Sequence, residues 1–187
     1  MKKAFIQLHV AVFLAGFTAI LGKFISLNEA WLVWYRLLLT ALTMWVLFAI
    51  TKKIQKLSLR DIIAVSLVGC LAALHWVGFY ASIKYANVSV ALVCFSSIGF
   101  FTSFMEPILE RKRFNKTDML LGLLTIVAIS LIFHFDGNYK LGIIIGMASA
   151  VLGALFPIFN RQLLRRMNVE SMLVWQQSGG LVCLSLI

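Results

Sequence analysis

The spacing of charges is the feature of this sequence that most limits its fold. Seven stretches carry no Asp, Glu, Lys or Arg: residues 4–22, 37–51, 62–83, 85–105, 119–135, 141–160 and 171–187. A helix needs about 17–25 apolar residues to cross the hydrocarbon layer, and several runs reach that length. Only 13% of the 187 residues are charged while 61% are apolar, which leaves too few polar side chains to coat a water-soluble globule. A soluble enzyme domain is excluded on that ground. Hydrocarbon offers no water to an open backbone, so each run must be helical; the alternating ten-residue segments of a β-barrel are absent.

The predicted fold is therefore an all-α integral membrane bundle. Six full transmembrane helices are placed at about 4–24, 31–51, 61–83, 87–106, 118–135 and 140–161, with a partial seventh over 171–187. The basic start Lys2–Lys3 and the run from Phe5 to Leu21 imitate a signal peptide. That run is too long for one and lacks a small-x-small cleavage site, so it is kept as helix 1. Helix 7 breaks off about 16 residues in, and a terminal carboxylate in hydrocarbon is costly. The chain is accordingly expected to be the first part of a longer protein.

Loop charge sets the expected orientation. With a cytoplasmic N-terminus, thirteen basic residues fall inside: Lys2 and Lys3, then Lys52, Lys53, Lys56 and Arg60, then Arg111, Lys112, Arg113 and Lys116, then Arg161, Arg165 and Arg166. Four fall at the outer ends, Lys23, Arg36, Lys84 and Lys140. This asymmetry predicts N-in, and topology plus anionic lipid explains the net charge of +10 without nucleic acid. Cys70, Cys94 and Cys183 lie inside apolar runs, far apart and with no C-x-x-C, so they read as packing residues, with neither a disulfide framework nor a metal site.

Polar groups deep in the spans are the candidate functional residues, because they are costly unless they meet a partner or a cavity. His75, Trp76 and Tyr80 lie on helix 3, where Leu71, His75, Gly78 and Ser82 share a face. His75 has two readings, a substrate or proton contact and a hydrogen bond to a neighbouring helix. Ser96 and Ser97, halfway along helix 4, either offer hydroxyls to substrate or bond to their own backbone. Arg36 either anchors the helix end, snorkelling to water or pairing with Glu29, or receives a substrate carboxylate, with Trp34 and Tyr35 beside it as an aromatic gate. Gln176 and Gln177 are polar within helix 7. Glu106, before Pro107, reads as interfacial. Gly142, Gly146, Ser149 or Ala150, and Gly153 form a small-residue face on helix 6, a close-packing seam, and Pro157 and Asn160 loosen its end. The string QQSGG at 176–180 is compatible with an intramembrane serine hydrolase only if His9, His75 or His134 supplies a base, and no ATPase motif is present.

Three segments carry a family resemblance. LHWVGFYASIKYANVSVALVCFSS (74–97) resembles the helix 3 to helix 4 junction of the EamA family in the drug/metabolite transporter superfamily. MEPILERKRF (105–114) resembles the end of that family's helix 4, with Glu110 and Arg111 matching and Leu109 where glycine is common. WLVWYRLLLTAL (31–42) resembles its second helix with an embedded arginine. The resemblance implies a ten-helix transporter of two inverted five-helix repeats, the first over 1–137 and the start of the second over 138–187. Leu32-Val33-Trp34 recurs as Leu173-Val174-Trp175, 141 residues on, in what would be helices 2 and 7.

On this basis the expected function is secondary transport by alternating access, as an exporter of small metabolites, amino acids or drug-like compounds across the bacterial inner membrane, with no cofactor and no enzymatic activity. The expected partners are the lipid bilayer and a small-molecule substrate, with proton or ion coupling and a homodimer also admitted. Competing readings are a membrane interaction or assembly protein without transport and, more distantly, the serine hydrolase.

Overall fold

A computed structural model describes residues 2–133 and 139–187. They form eight helices: α1 (Lys2–Phe24), α2 (Glu29–Ile50), α3 (Leu59–Tyr85), α4 (Val88–Ser96), α5 (Ile98–Glu110), α6 (Lys116–Phe133), α7 (Lys140–Leu163) and α8 (Val169–Ser185). Five segments are long and apolar enough to cross a membrane: Phe5–Phe24, α2, α3, Val88–Glu110 and α7. The last two residues of the span expected at 118–135 lie outside the described residues, as do His134 and the boundary expected between the repeats at 137–138.

Helix starts follow from local chemistry. Asn28, Ser58, Asn87 and Asn168 stand just before α2, α3, α4 and α8, and each side-chain oxygen accepts a backbone N–H of the first turn, at 2.9, 3.2, 2.9 and 3.0 Å. These caps satisfy donors that have no partner within the helix. At the other ends of α2 and α5, Lys52 and Arg111 take left-handed backbone with φ 52°, which stops the helix in the way a C-cap glycine does.

The single helix expected at 87–106 is instead two. Its span is interrupted at Ser97, between α4 and α5. Ser96 Oγ donates to the Val93 carbonyl at 2.6 Å and Ser97 Oγ to the Cys94 carbonyl at 2.5 Å. Back-bonding by two adjacent serines, with Gly99 just beyond, competes with the helical ladder, and the Ser97 N–H bonds to the Cys94 carbonyl three residues back at 3.1 Å.

The bundle is organised around α3, which packs against α1, α2, α4, α7 and α8. One apolar cluster joins Leu32, Val33 and Leu37 to Ala73, Phe79 and Tyr80; a second joins Val65 and Val68 to Leu163, Met167 and Met172. Large apolar side chains such as Phe13, Leu39 and Ile144 point outward at 64–67% exposure, the inverse of a water-soluble surface and what a bilayer solvates. The chain is a multi-pass helical membrane protein.

The helix-to-helix seams are built from small residues, as expected for α7. A Cβ added at Gly153 would lie 2.8 Å from the His75 ring, one at Gly146 2.7 Å from Ser82 Oγ, and one at Gly78 3.0 Å from Ser149 Cβ. The α3–α8 crossing is closer still, since a Cβ on Gly69 would lie 2.0 Å from the Gln176 carbonyl oxygen and one on Gly179 2.4 Å from Ser66 Cα. Such approach maximises dispersion contacts where lipid offers no hydrophobic drive to association.

Three of the basic segments, around residues 52–60, 111–116 and 161–166, gather at one end of the bundle. Lys53 pairs with Glu170 at 3.3 Å and Arg166 with Asp61 at 3.6 Å, while Arg161 bridges Glu106 and Glu110 at 2.8 and 3.4 Å. Lys112 joins the same two glutamates, and its hydrogen bonds, to Glu110 first and then Glu106, hold its ammonium above the usual lysine range. The opposite end is tied by Glu29 and Lys84 at 3.7 Å and by Lys84 donating to the Leu27 carbonyl.

Candidate functional site

Four helices meet around a cavity of about 180 Å³ near mid-span, lined in part by Arg36 and Thr40 of α2, Gly69 and Trp76 of α3, and Gln176 and Gln177 of α8. Phe156 of α7 closes one wall. Arg36 lies seven residues into α2, about 10 Å of helical rise from Glu29. Its Nη1 donates to Tyr80 Oη at 2.5 Å, and its guanidinium lies over Trp76, 4.6 Å from the ring centroid. Tyr80 is buried, and its own ring centroid is 5.6 Å from the guanidinium. Two aromatic faces and a phenol thus hold the cation.

The expected pairing of Arg36 with Glu29 is not formed. Glu29 sits at the first turn of α2, within reach of Lys84 in the last turn of α3, while Arg36 is turned onto the aromatic flank of α3. Among the described residues no carboxylate lies within 4.0 Å of Arg36. Its charge is therefore held against two ring faces and lines the cavity with no carboxylate beside it among the described residues, an arrangement that favours an anionic group in the space beside it.

Gln176 is fixed from behind by an amide pair that the sequence did not disclose. Its Nε2 donates to Asn160 Oδ1 on α7 at 2.7 Å, and it is 3% exposed. Asn160, read from the sequence as a loosening residue, instead ties α7 to α8. Thr40, Gly69 and Phe156 were likewise unannounced, because their participation depends on which faces of α2, α3 and α7 meet.

The remaining candidates lie elsewhere. His75 is turned to the α3–α7 seam, where Nδ1 donates to the Ser149 carbonyl at 2.8 Å and Ser149 Oγ donates to the His75 carbonyl at 2.7 Å. The carbonyl can only accept, which fixes the proton on Nδ1. This is the neighbouring-helix arrangement of the two considered, and the face Leu71, His75, Gly78 and Ser82 serves the same seam, with Ser82 Oγ donating to the Gly142 carbonyl at 2.8 Å. Ser96 and Ser97 spend their hydroxyls on α4, and Ser97 also lies 3.5 Å from Met147 Sδ.

Trp34 lies in a separate groove with Trp31, Leu74 and Val77, its Nε1 donating to Ser185 Oγ at 2.8 Å. Trp175, at the matching position of the second Leu-Val-Trp, packs edge-on against Trp45 with centroids 5.5 Å apart. Each tryptophan therefore reaches from the start of its own helix to the far end of the other, a reciprocal crossing of antiparallel α2 and α8. Ser178 Oγ donates to the Val174 carbonyl at 2.9 Å and accepts from Trp45 Nε1 at 3.0 Å. No hydrogen bond joins it to His9 or His75, so the QQSGG string has no base beside its serine among the described residues. Nor do three His, Cys, Asp or Glu side chains converge there to hold a metal ion.

Residues 2–134 match the EamA-like transporter family. The chain is 24% identical over 163 residues to an uncharacterized transporter of Haemophilus influenzae, covering 82% of this chain and 53% of that protein. The chain thus spans about half the length of the curated relative it matches. No solved structure matches. With a family match over most of its length, and a bundle of apolar helices around a polar mid-span cavity, this chain belongs to the EamA-like transporter family.

Proposed function

We propose that this protein is a secondary transporter of the bacterial inner membrane, with a cytoplasmic N-terminus, that exports a small metabolite bearing a carboxylate or similar anionic group. The observation that carries the reading is Arg36, a guanidinium with no carboxylate partner among the described residues, facing a mid-span cavity shared with Trp76, Gln176 and Gln177. The guanidinium takes the anionic group, the Trp76 face takes an apolar or aromatic portion, and the two glutamine amides supply orienting hydrogen bonds. Alternating access by two inverted repeats is supported by the recurrent Leu-Val-Trp segments and by the reciprocal crossing of Trp34 and Trp175. Crowding of the basic segments at one end supports the orientation. The test is Arg36→Gln and Arg36→Lys in the full-length transporter. Both are expected to reach normal membrane abundance, with Arg36→Gln losing transport of carboxylate compounds and Arg36→Lys retaining a fraction. Full activity in Arg36→Gln contradicts the proposal.

A further inference from the structure

The basic end of the bundle carries a second feature, separate from the mid-span cavity. A polar basin of about 340 Å³ is bounded by Glu110 and Lys112 from the end of α5 and by Gln162, Arg165 and Arg166 from the end of α7. Beside it an apolar groove of about 350 Å³ runs between α3 and α7 along Leu67, Val68, Leu71, Phe159 and Leu163. Gln162 and Arg166 line both, so basin and groove are continuous. From Ala64 to Leu71 the groove advances about 10 Å into the span. Its floor is the core pair Val68 and Leu163, and its rim at Leu67 is 61% exposed, so it opens outward between two helices long and apolar enough to cross a membrane.

The charges decide what fits. Lys112 and Arg161 are matched by Glu106 and Glu110. Arg166, whose side chain is 60% exposed, has only a 3.6 Å contact with Asp61, and Arg165 has no carboxylate within 4.0 Å among the described residues. Four cations against three carboxylates leave a net positive basin, with its two least-compensated members adjacent in the turn just after α7. A basic pocket between transmembrane helices at the headgroup level suits an anionic phospholipid, and the adjoining groove has the apolar lining that an acyl chain requires. A soluble anion would have no use for the groove, and a zwitterionic lipid would leave the excess charge unanswered. We propose that this basin and groove together form a binding site for one anionic phospholipid, its phosphodiester between Arg165 and Arg166 and one acyl chain between α3 and α7.

Native mass spectrometry of the full chain, loaded from vesicles of phosphatidylcholine alone or with added phosphatidylglycerol, tests the proposal. One phosphatidylglycerol per chain is expected to survive desolvation, with phosphatidylcholine retained much less. Arg165→Gln with Arg166→Gln should weaken retention about thirtyfold. Leu67→Trp, which fills the groove and leaves the basin intact, should weaken it independently. Unchanged melting of both variants in detergent shows that they fold. Equal retention of the two lipids overturns the proposal, as does full retention by the double arginine variant. Displacement of the lipid by inorganic phosphate at equal concentration also overturns it, because the groove would then contribute nothing.

Discussion

Gly69→Ala measures how closely α8 is seated on α3. A Cβ at this position would lie 2.0 Å from the Gln176 carbonyl oxygen and 2.9 Å from the Gly180 nitrogen, whereas ordinary contact begins near 3.4 Å. The obstacle is helix backbone, so no rotamer change relieves it and α8 must withdraw by about 1.4 Å, the shortfall between those two distances. Overpacking of this kind costs about 1–3 kcal/mol, which outweighs the gain of about 1 kcal/mol in helix propensity from replacing glycine. For a chain of this size each kcal/mol moves the midpoint by about 2–4 °C. Thermal unfolding in detergent, followed by a thiol-reactive dye that reports exposure of the buried Cys94, should fall by several degrees. Gly16→Ala is the control, since nothing lies within 4 Å of its added Cβ, and the propensity gain alone should leave it melting a few degrees above the wild type. If Gly69→Ala melts with Gly16→Ala, the α3–α8 crossing is looser than these distances require, and the cavity that Gln176 and Gln177 help to line is not held by it.

Two further outcomes are expected. His75→Ala removes a buried ring and its hydrogen bond to Ser149, which should destabilise the protein by about 2–4 kcal/mol and lower its abundance, while transport per surviving molecule stays near normal; transport lost at normal abundance and melting temperature would instead give His75 a direct role. In a cysteine-free background on intact cells, an impermeant thiol reagent should label Ser26→Cys but not Lys56→Cys, because the loop at 52–58 lies at the basic end; the reverse pattern inverts the orientation.

The spans are legible in the sequence because the bilayer imposes one rule everywhere: a run long enough to cross and free of charge must be helical. Helix limits fall close to the uncharged runs, and the small-residue face of α7 is recognisable because glycine at helical spacing has few other uses in a membrane. The break at Ser97 is less legible. Ser96 and Ser97 stand out as polar residues at mid-span, but that their hydroxyls turn back on Val93 and Cys94 depends on local geometry. The cavity is only partly legible for a similar reason. Arg36, Trp76, Gln176 and Gln177 are conspicuous as polar or amphipathic groups inside apolar runs, yet neither the diversion of Glu29 to Lys84 nor the clamp of Asn160 on Gln176 can be read from residues 55 and 16 positions apart. His75 shows the limit most clearly, because an intramembrane histidine looks alike in sequence whether it faces a cavity or a carbonyl.

Substrate passage through the mid-span cavity is tested most directly by the accessibility of Gln177→Cys in the otherwise cysteine-free, full-length transporter. Gln177 lines the cavity and is half-buried, so a small thiol reaches the space without rebuilding the α3–α8 crossing. Impermeant reagent applied to right-side-out and to inside-out vesicles should modify it from either side if, as proposed, alternating access opens the same cavity to each face in turn, and transported substrate should slow the modification. Labelling from one side only, at a rate that substrate leaves unchanged, would contradict the assignment of this cavity as the transport site.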